Sequence, residues 1–243
     1  MCGIVGYLGD RPAYPMLIQG LRRLEYRGYD SAGVALVHEN GTLDVFKSKG
    51  KVADLERATQ GQDVSGTIGI AHTRWATHGE PNDANAHPHY SQSKTLAIIH
   101  NGIIENYNVL REMLRNHDYT FQSDTDTEVL VQLIEYIKQT NHCDLCTAVQ
   151  LALHEVVGAY AIAVIEKENP DLIVAARKSS PLVIGIRGNE RFLASDATPI
   201  IEHTKEVVYL NDEEVAVIRR NEPLQVVSLD NVVKPLHIKM LEM

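Results

Sequence analysis

Cys2 is the residue of this 243-residue chain whose position most directly suggests chemistry, because it follows the initiator methionine. Methionine aminopeptidases generally remove Met1 when the next side chain is as small as cysteine, which would leave Cys2 with a free α-amine. An α-amine has a pKa of about 7.7 to 8.0 and serves as a general base near neutral pH, while the thiol beside it is a nucleophile. A buried, inert thiol is the alternative interpretation of the same residue.

Two further segments place polar side chains where a predicted strand gives way to a loop. The first runs from Ala71 to Pro81 and carries an arginine, a tryptophan, a threonine and a histidine at positions 74, 75, 77 and 78, where the strand gives way to the loop. Loops at strand ends are common positions for binding residues. The second is His100-Asn101-Gly102, in which the asparagine NH₂ and the glycine N–H would form a pair of donors for an oxyanion. A simple Asn-Gly turn is the alternative for this segment.

The segment from Ser123 to Glu128 predicts the start of a helix. Thr125 and Glu128 fit a capping box, which places Asp126 in the first helical turn and keeps its carboxylate ionised. Complementation of the helix dipole is the simpler explanation for that aspartate. Held in one pocket, however, an ionised aspartate and an arginine would bind the ammonium and carboxylate groups of an α-amino acid.

The positions of these residues depend on predicted strands at both ends of the chain. Short aliphatic or alternating segments bounded by Gly, Asn or Asp predict strands over Cys2 to Leu8, Ala32 to Val37, Leu43 to Phe46, Ile68 to Thr73, Leu96 to His100 and a series beyond Gly158. We expect that later series to be antiparallel with short turns. Asn40-Gly41 predicts a type I′ hairpin turn. Small and bulky residues alternate from Ala159 to Val164, so this strand is expected to be buried on both faces.

The middle of the chain has helical periodicity. Apolar residues recur at helical spacing over Leu17 to Leu24, Val109 to Leu114 and Val129 to Ile137, and a fourth helix is predicted from Asp144 to Val156. Strands, then helices, then strands favour two packed sheets with helices outside them. We therefore predict one continuous domain over residues 1–243, with an α+β fold in four α-β-β-α layers.

Composition restricts the classes of function that this fold would serve. The formal net charge is −9, with 44% hydrophobic and 23% charged residues, which is typical of soluble globular chains. An acidic balance without a basic run argues against nucleic acid and membrane surfaces as partners. The longest apolar stretch, Ala159 to Ile165, is far shorter than the ~20 residues that span a bilayer. With three cysteines and no signal-peptide pattern, a cytoplasmic location is expected.

The cysteines at Cys143 and Cys146 raise the question of a zinc site. A structural zinc site needs four ligands and usually a second paired element, which the sequence lacks. Core packing or surface exposure of these thiols is therefore the favoured interpretation. The His87-Pro88-His89 segment also lacks the spacing of metal ligands, and we predict no metal.

These motifs together resemble the glutaminase domain of the glucosamine-6-phosphate synthase family, within the class II glutamine amidotransferases. The similarity extends in order through nearly the whole chain and is carried by the segments 1–6, 21–33, 71–81, 100–106 and 124–128. The initial Cys-Gly-Ile and the Asn-Gly pair are shared by the wider class. The Arg-Gly-Tyr-Asp-Ser-Ala-Gly and His-Thr-Arg-Trp-Ala-Thr-His-Gly-Glu-Pro strings indicate the aminosugar branch.

The resemblance implies an N-terminal nucleophile hydrolase fold and a catalytic group of residues. By that similarity Cys2 attacks the side-chain amide of glutamine, and its α-amine transfers the proton. Asn101 and Gly102 would hold the oxyanion, and ammonia and glutamate would be the products. Arg27 is expected near the nucleophile as a positioning residue.

The resemblance also implies a set of substrate-binding residues. Arg74 is expected to bind the α-carboxylate of glutamine, with Thr77 and His78 shaping that end of the pocket. Asp126 is expected to bind the α-ammonium group. Trp75 is expected at the pocket mouth, where it would help to close the site and guide ammonia onward.

Neither a cofactor nor a metal is implied by the resemblance. The implied partner is a C-terminal sugar isomerase half of the same full-length enzyme, expected to be absent from this chain, and the full-length enzyme is expected to be a homo-oligomer. One alternative is the glutaminase half of another class II amidotransferase. The other is a non-catalytic glutamine-binding domain, because a retained Met1 would turn the Cys2 nitrogen into an amide that cannot act as a base.

Overall fold

The protein forms two antiparallel sheets in a computed structural model that describes residues 2–242. Met1 and Met243 lie outside the described residues, so the structure does not bear on the removal of Met1. Within residues 2–242 the first sheet consists of the strands β1 (Gly3–Leu8), β2 (Ser31–Val37), β3 (Leu43–Lys49), β4 (Ile68–Arg74), β9 (Val183–Arg187), β10 (Glu190–Ala194), β11 (Glu206–Tyr209) and β15 (Ile238–Met240). Their order across the sheet is β15-β11-β9-β10-β1-β4-β2-β3.

The second sheet, in the same described part of the chain, consists of the strands β5 (His89–Tyr90), β6 (Leu96–Ile104), β7 (Gly158–Glu166), β8 (Asn169–Lys178), β12 (Glu214–Arg219), β13 (Gln225–Ser228) and β14 (Val233–Lys234). Their order across the sheet is β14-β13-β12-β8-β7-β6-β5. The helices are α1 (Ala13–Arg23), α2 (Val52–Ala58), α3 (Tyr107–Arg115), α4 (Asp126–Asn141) and α5 (Leu145–His154), and a 3₁₀ turn covers Glu25–Arg27. Within the described residues, no helix is long and apolar enough to cross a membrane.

The predicted four-layer arrangement is confirmed by the positions of three apolar clusters. One cluster lies between the sheets and includes Ile4, Ile70 and Ile99. A second lies between the first sheet and helices α1 and α2, and a third lies between the second sheet and helices α3 to α5. The layers therefore follow the order α-β-β-α, which buries one face of each helix and both faces of the central strands.

Strand β7 has the two-sided burial that its alternating sequence predicts. Ala161 and Ala163 belong to the cluster between the sheets, whereas Ile162 and Val164 belong to the cluster beneath the helices. All four side chains are fully buried. The small residues on one face of β7 let the two sheets approach each other, and the bulky residues on the other face fill the space under α4 and α5.

The β2–β3 hairpin forms where Asn40-Gly41 predicts it, but the turn type was wrong. The Gly41 N–H donates to the His38 carbonyl. Asn40 does not have the positive φ that a type I′ turn requires. Within the loop 39–41, Gly41 alone has a positive φ, of 80°. The His38 N–H donates to the Thr42 carbonyl. This is a type I turn followed by a left-handed glycine, the usual geometry of a three-residue hairpin loop.

The later strands do not form one continuous series with short turns. Strand β8 pairs with β7 and β12 in the second sheet, whereas β9 pairs with β10 and β11 in the first. The chain therefore crosses between the sheets after β8, after β11 and again after β14. Local periodicity does not report such crossings, since a strand has the same alternation in either sheet. The short elements α2, β5, β14 and β15 were also not predicted.

Helix α4 begins at Asp126, and the predicted capping residue, Thr125, occupies its N-cap position. The Thr125 side chain accepts a hydrogen bond from the Glu128 N–H at 3.3 Å. The Glu128 carboxylate does not complete the capping box, because it accepts from the Gln122 and Ser123 N–H groups instead. The loop before α4 is thereby held against the helix.

Candidate active site

Side-chain alternation on three strands directs polar groups to one end of the layer between the sheets. Ile4, Ile70 and Ile99 face that layer, so Cys2, His72 and Asn101, each two residues from one of them, lie on the same faces. A cavity of about 420 Å³ opens at this point. It is lined by all of the predicted site residues, which are Cys2, Arg27, Arg74, Trp75, Thr77, His78, Asn101, Gly102 and Asp126.

A second cavity, of about 510 Å³, lies elsewhere and contains none of these residues. It is lined mainly by polar and acidic side chains near β14, including Asp212, Glu213 and Asp230. The smaller cavity is the better candidate active site because a nucleophile, an arginine and a buried carboxylate meet there.

The Cys2 thiol lies at the first residue before β1, in the centre of the first sheet. Its Sγ accepts a hydrogen bond from the Trp75 N–H at 3.2 Å. Burial raises the pKa of the thiol, and the Trp75 hydrogen bond opposes this effect without cancelling it. Because the thiol is therefore mainly protonated at neutral pH, its use as a nucleophile requires a base.

Asn101 lies on β6 and approaches Cys2 from the second sheet. Its Nδ2 donates to the Cys2 carbonyl oxygen at 3.2 Å, and its Oδ1 lies 2.9 Å from Nε2 of His72. The following residue, Gly102, has φ of 117°, and a Cβ there would collide with the Ala159 carbonyl oxygen. Glycine is therefore required where β6 passes β7 beside the nucleophile.

Arg27 contacts the backbone of the nucleophile. Its guanidinium donates to the Cys2 carbonyl oxygen at 3.2 Å and forms an ion pair with Asp196. The Tyr26 hydroxyl donates to the same Asp196 carboxylate at 2.9 Å. Arg27 thus links the first residue of the site to the segment after β10.

Arg74 is buried at the end of β4 and supports the loop that follows. Its guanidinium donates to the carbonyl oxygens of His78, Gly79 and Glu80. Asp30 holds the start of the same loop, because its Oδ2 accepts from the Ala76 N–H at 2.7 Å. In this structure the arginine is therefore a loop-supporting residue as well as a lining residue of the cavity.

Asp126 lies at the first residue of α4, and only 4% of its surface is exposed. Its Oδ2 accepts from the Ile104 N–H at 2.8 Å, which fixes the carboxylate beside β6. Trp75, another lining residue, is 53% exposed, and its ring lies close to Gly28. The His78 ring packs edge-on against Tyr107, with centroids 5.1 Å apart.

No catalytic or binding role was predicted for the buried histidines at the cavity, which are His72, His87 and His100. His72 stacks on His87, with ring centroids 4.1 Å apart, and His100 lies next to Asn101 with Nδ1 at 2.9 Å from the Thr127 hydroxyl. The signal for His72 was available, since it lies two residues before Arg74 on a predicted strand. Across residues 2–242, no group of three His, Cys, Asp or Glu side chains is arranged to hold a metal ion.

The fold and this site define a class II amidotransferase of the N-terminal nucleophile hydrolase type. The family model "Glutamine amidotransferase domain" matches residues 44–234. The chain belongs to this family. Its structure is similar to that of the glutamine phosphoribosylpyrophosphate amidotransferase from Bacillus subtilis complexed with ADP and GMP, with a TM-score of 0.77 and 28% identity over 94% of this chain and 49% of that one.

Curated relatives confirm the resemblance to the aminosugar branch. The chain is 66% identical, over its whole length, to "Glutamine--fructose-6-phosphate aminotransferase [isomerizing]" from Bacteroides thetaiotaomicron. It is 52% identical, again over its whole length, to the protein of the same name from Chlorobaculum tepidum. The chain spans about 40% of the length of each of these relatives.

Proposed function

We propose that this chain hydrolyses the side-chain amide of glutamine through a thioester on Cys2. The observation that carries the proposal is the meeting of the Cys2 thiol, the Asn101 amide and the Asp126 carboxylate in one cavity of about 420 Å³. Sγ forms a bond to the amide carbon, and the α-amine of Cys2 takes the thiol proton and passes it to the leaving nitrogen. Ammonia leaves, and water then hydrolyses the thioester to glutamate.

Asn101 and Gly102 are proposed to stabilise the oxyanion of the tetrahedral intermediate. One hydrogen of Asn101 Nδ2 bonds the Cys2 carbonyl oxygen, which leaves the second hydrogen for the oxyanion. Loss of one such donor typically lowers kcat by about 10²- to 10³-fold. Arg27 supports this arrangement through its own bond to the Cys2 carbonyl oxygen.

The α-amino acid end of glutamine is proposed to bind between Asp126 and Arg74. The Asp126 carboxylate would pair with the substrate ammonium group, and the N–H donors of Arg74 that do not bond the loop carbonyls would bind the carboxylate. Thr77 and His78 line this end of the cavity. Trp75, half exposed, is proposed to close the mouth over the bound amide and guide ammonia onward.

Ammonia release from glutamine tests the proposal directly. Chain with Met1 removed, verified by intact mass, is expected to release ammonia, and Cys2→Ala is expected to lose turnover while it still binds glutamine. A glutamine analogue with an electrophilic carbon at the amide position is expected to label Cys2. Trimmed and folded protein that neither releases ammonia nor reacts at Cys2 would overturn the proposal, whereas chain with Met1 retained is expected to bind glutamine without turnover.

In its full-length context, we propose that the domain supplies ammonia for the conversion of fructose 6-phosphate to glucosamine 6-phosphate. The names of the relatives and the 40% share of their length support this role and a sugar isomerase half as the acceptor. A cytoplasmic location is proposed because Cys2, Cys143 and Cys146 are free thiols. Glucosamine 6-phosphate formation by the full-length gene product tests the role, and its absence despite ammonia release would refute it.

A further inference from the structure

His72 donates one hydrogen bond toward the amide that faces the nucleophile. The side chain is completely buried on β4, and its Nε2 lies 2.9 Å from Asn101 Oδ1 and 3.0 Å from the His100 carbonyl oxygen. Both oxygens are acceptors. The hydrogen must therefore be on Nε2, which shares it between the two oxygens and fixes the tautomer of the ring.

This bond determines which end of the Asn101 amide faces Cys2. The two ends of an asparagine amide have nearly the same shape, so packing alone does not distinguish them. The His72 N–H selects the oxygen, because an NH₂ group in the same place would oppose one donor with another. Nδ2 is thereby directed to the opposite side, where it lies 3.2 Å from the Cys2 carbonyl oxygen.

The surroundings keep the His72 ring in this form. His87 stacks on it with an angle of 13° between the ring planes, and His87 is itself buried. His72 Nδ1 is buried and has no hydrogen-bond partner among the residues that the structure describes, so a proton there would be unsatisfied. Burial accordingly lowers the pKa of His72 to about 3. The ring is therefore neutral at neutral pH.

We propose that His72 is a positioning residue for amide hydrolysis, because its Nε2–H holds the Asn101 side chain with Nδ2 aimed at the developing oxyanion. The inference rests on the proposed function for its catalytic consequence. His72 does not need to contact the substrate, because its effect passes through Asn101. Loss of this donor therefore affects the chemical step and leaves the binding of glutamine nearly unchanged.

Two substitutions separate the hydrogen bond from the space that the ring fills. His72→Gln places an amide N–H near the position of Nε2, whereas His72→Asn carries the same amide on a chain too short to reach Asn101. His72→Asn is expected to lower kcat by about 10- to 100-fold with KM changed less than about threefold, and His72→Gln to retain most of kcat. His38→Asn is the control, because His38 is also buried but does not line the cavity. This substitution is expected to leave kcat unchanged.

Three kinetic outcomes would contradict the positioning role of His72. They are an unchanged kcat in His72→Asn, an equal loss of kcat in both His72 variants, and a rise in KM without a fall in kcat. Thermal unfolding of every variant accompanies the kinetics, so that a loss of folded protein is not mistaken for a loss of kcat.

A second measurement does not depend on turnover. With ¹⁵N-asparagine labelling, the Asn101 side-chain NH₂ resonance is identified by its disappearance in Asn101→Asp. It is expected to remain near its wild-type position in His72→Gln and to shift or broaden in His72→Asn. An identical resonance in wild type and His72→Asn would overturn the positioning role. If wild type releases no ammonia, the proposed function fails, but this resonance still decides whether His72 orients Asn101.

Discussion

Burial of the Cys2 thiol predicts slow alkylation at neutral pH. Because burial raises its pKa, the thiolate fraction continues to grow at pH values where an ordinary cysteine is already ionised. The rate of iodoacetamide alkylation at Cys2, followed by peptide mass spectrometry, is expected to rise from pH 7 to beyond about pH 8.5 without a plateau. Cys146, with its pKa raised to about 11 by burial, is the internal comparison and should react more slowly still. An alkylation rate at Cys2 that reaches a plateau below about pH 8.5 would contradict a raised thiol pKa.

Asp126 provides a test of charge at the substrate-binding end. Asp126→Asn keeps an oxygen that accepts the Ile104 N–H but removes the negative charge. The loss of a charge-assisted bond to the substrate ammonium, about 1.5 to 3 kcal/mol, is expected to raise KM for glutamine about 10- to 100-fold. Asp124→Asn removes the same charge from an exposed position two residues earlier and serves as the control. Equal KM values in the two variants would refute the role of Asp126.

The sequence predicted the residues of the site but not the contacts that they make across the two sheets. Chain position, residue type and the family resemblance identified Cys2, Asn101 and Asp126, and the structure places all three around one cavity. The contact between His72 and Asn101 joins β4 of one sheet to β6 of the other. Periodicity gives the face on which a side chain lies, but not the strand that it meets.

At the scale of elements, the N-cap of α4 is expected to contribute to stability. Thr125→Ala removes the oxygen that accepts the Glu128 N–H and should lower the free energy of unfolding by about 1 kcal/mol, within a range of about 0.5 to 2. Urea denaturation measures this change, and Thr125→Ser should restore most of it.

Asp144 offers a matched control at the N-cap of α5, where it accepts from the Thr147 N–H at 2.8 Å. Asp144→Ala should also lower stability by about 0.5 to 2 kcal/mol, because at both N-caps a side-chain oxygen accepts a backbone N–H of the first turn. It should leave ammonia release per folded molecule unchanged, since Asp144 does not line the cavity. A stable Thr125→Ala variant would show that the neighbouring contacts of the loop suffice to start α4.

Long elements with strong periodicity were predictable, and short or irregular ones were not. The four predicted helices all form, because each has an apolar face several turns long. Helix α2 spans only seven residues, and strands β5 and β14 span two each, which is too few to establish a period. The Asn40-Gly41 turn was misassigned because the same dipeptide suits both a two-residue and a three-residue loop.

At the scale of the whole molecule, the alanines of β7 set the separation of the sheets. Ala163→Leu adds volume between two close-packed layers and is expected to reduce the free energy of unfolding by about 1 to 3 kcal/mol, as measured by urea denaturation. Ala58→Leu, on the exposed surface of α2, is the matched control and should change stability by less than about 0.5 kcal/mol. Equal stability of the two variants would mean that the layers adjust to the added volume.

The outer strands of both sheets determine how copies of this molecule behave when crowded together. Along β3, the longest strand at a sheet edge, the Val45 N–H bonds the Tyr90 hydroxyl at 2.9 Å and the Lys49 N–H bonds the Asp83 carboxylate at 2.6 Å. The other edge strands, β5, β14 and β15, are only two or three residues long. Few backbone groups are therefore left to template another chain, which disfavours growth of fibrils from the folded state.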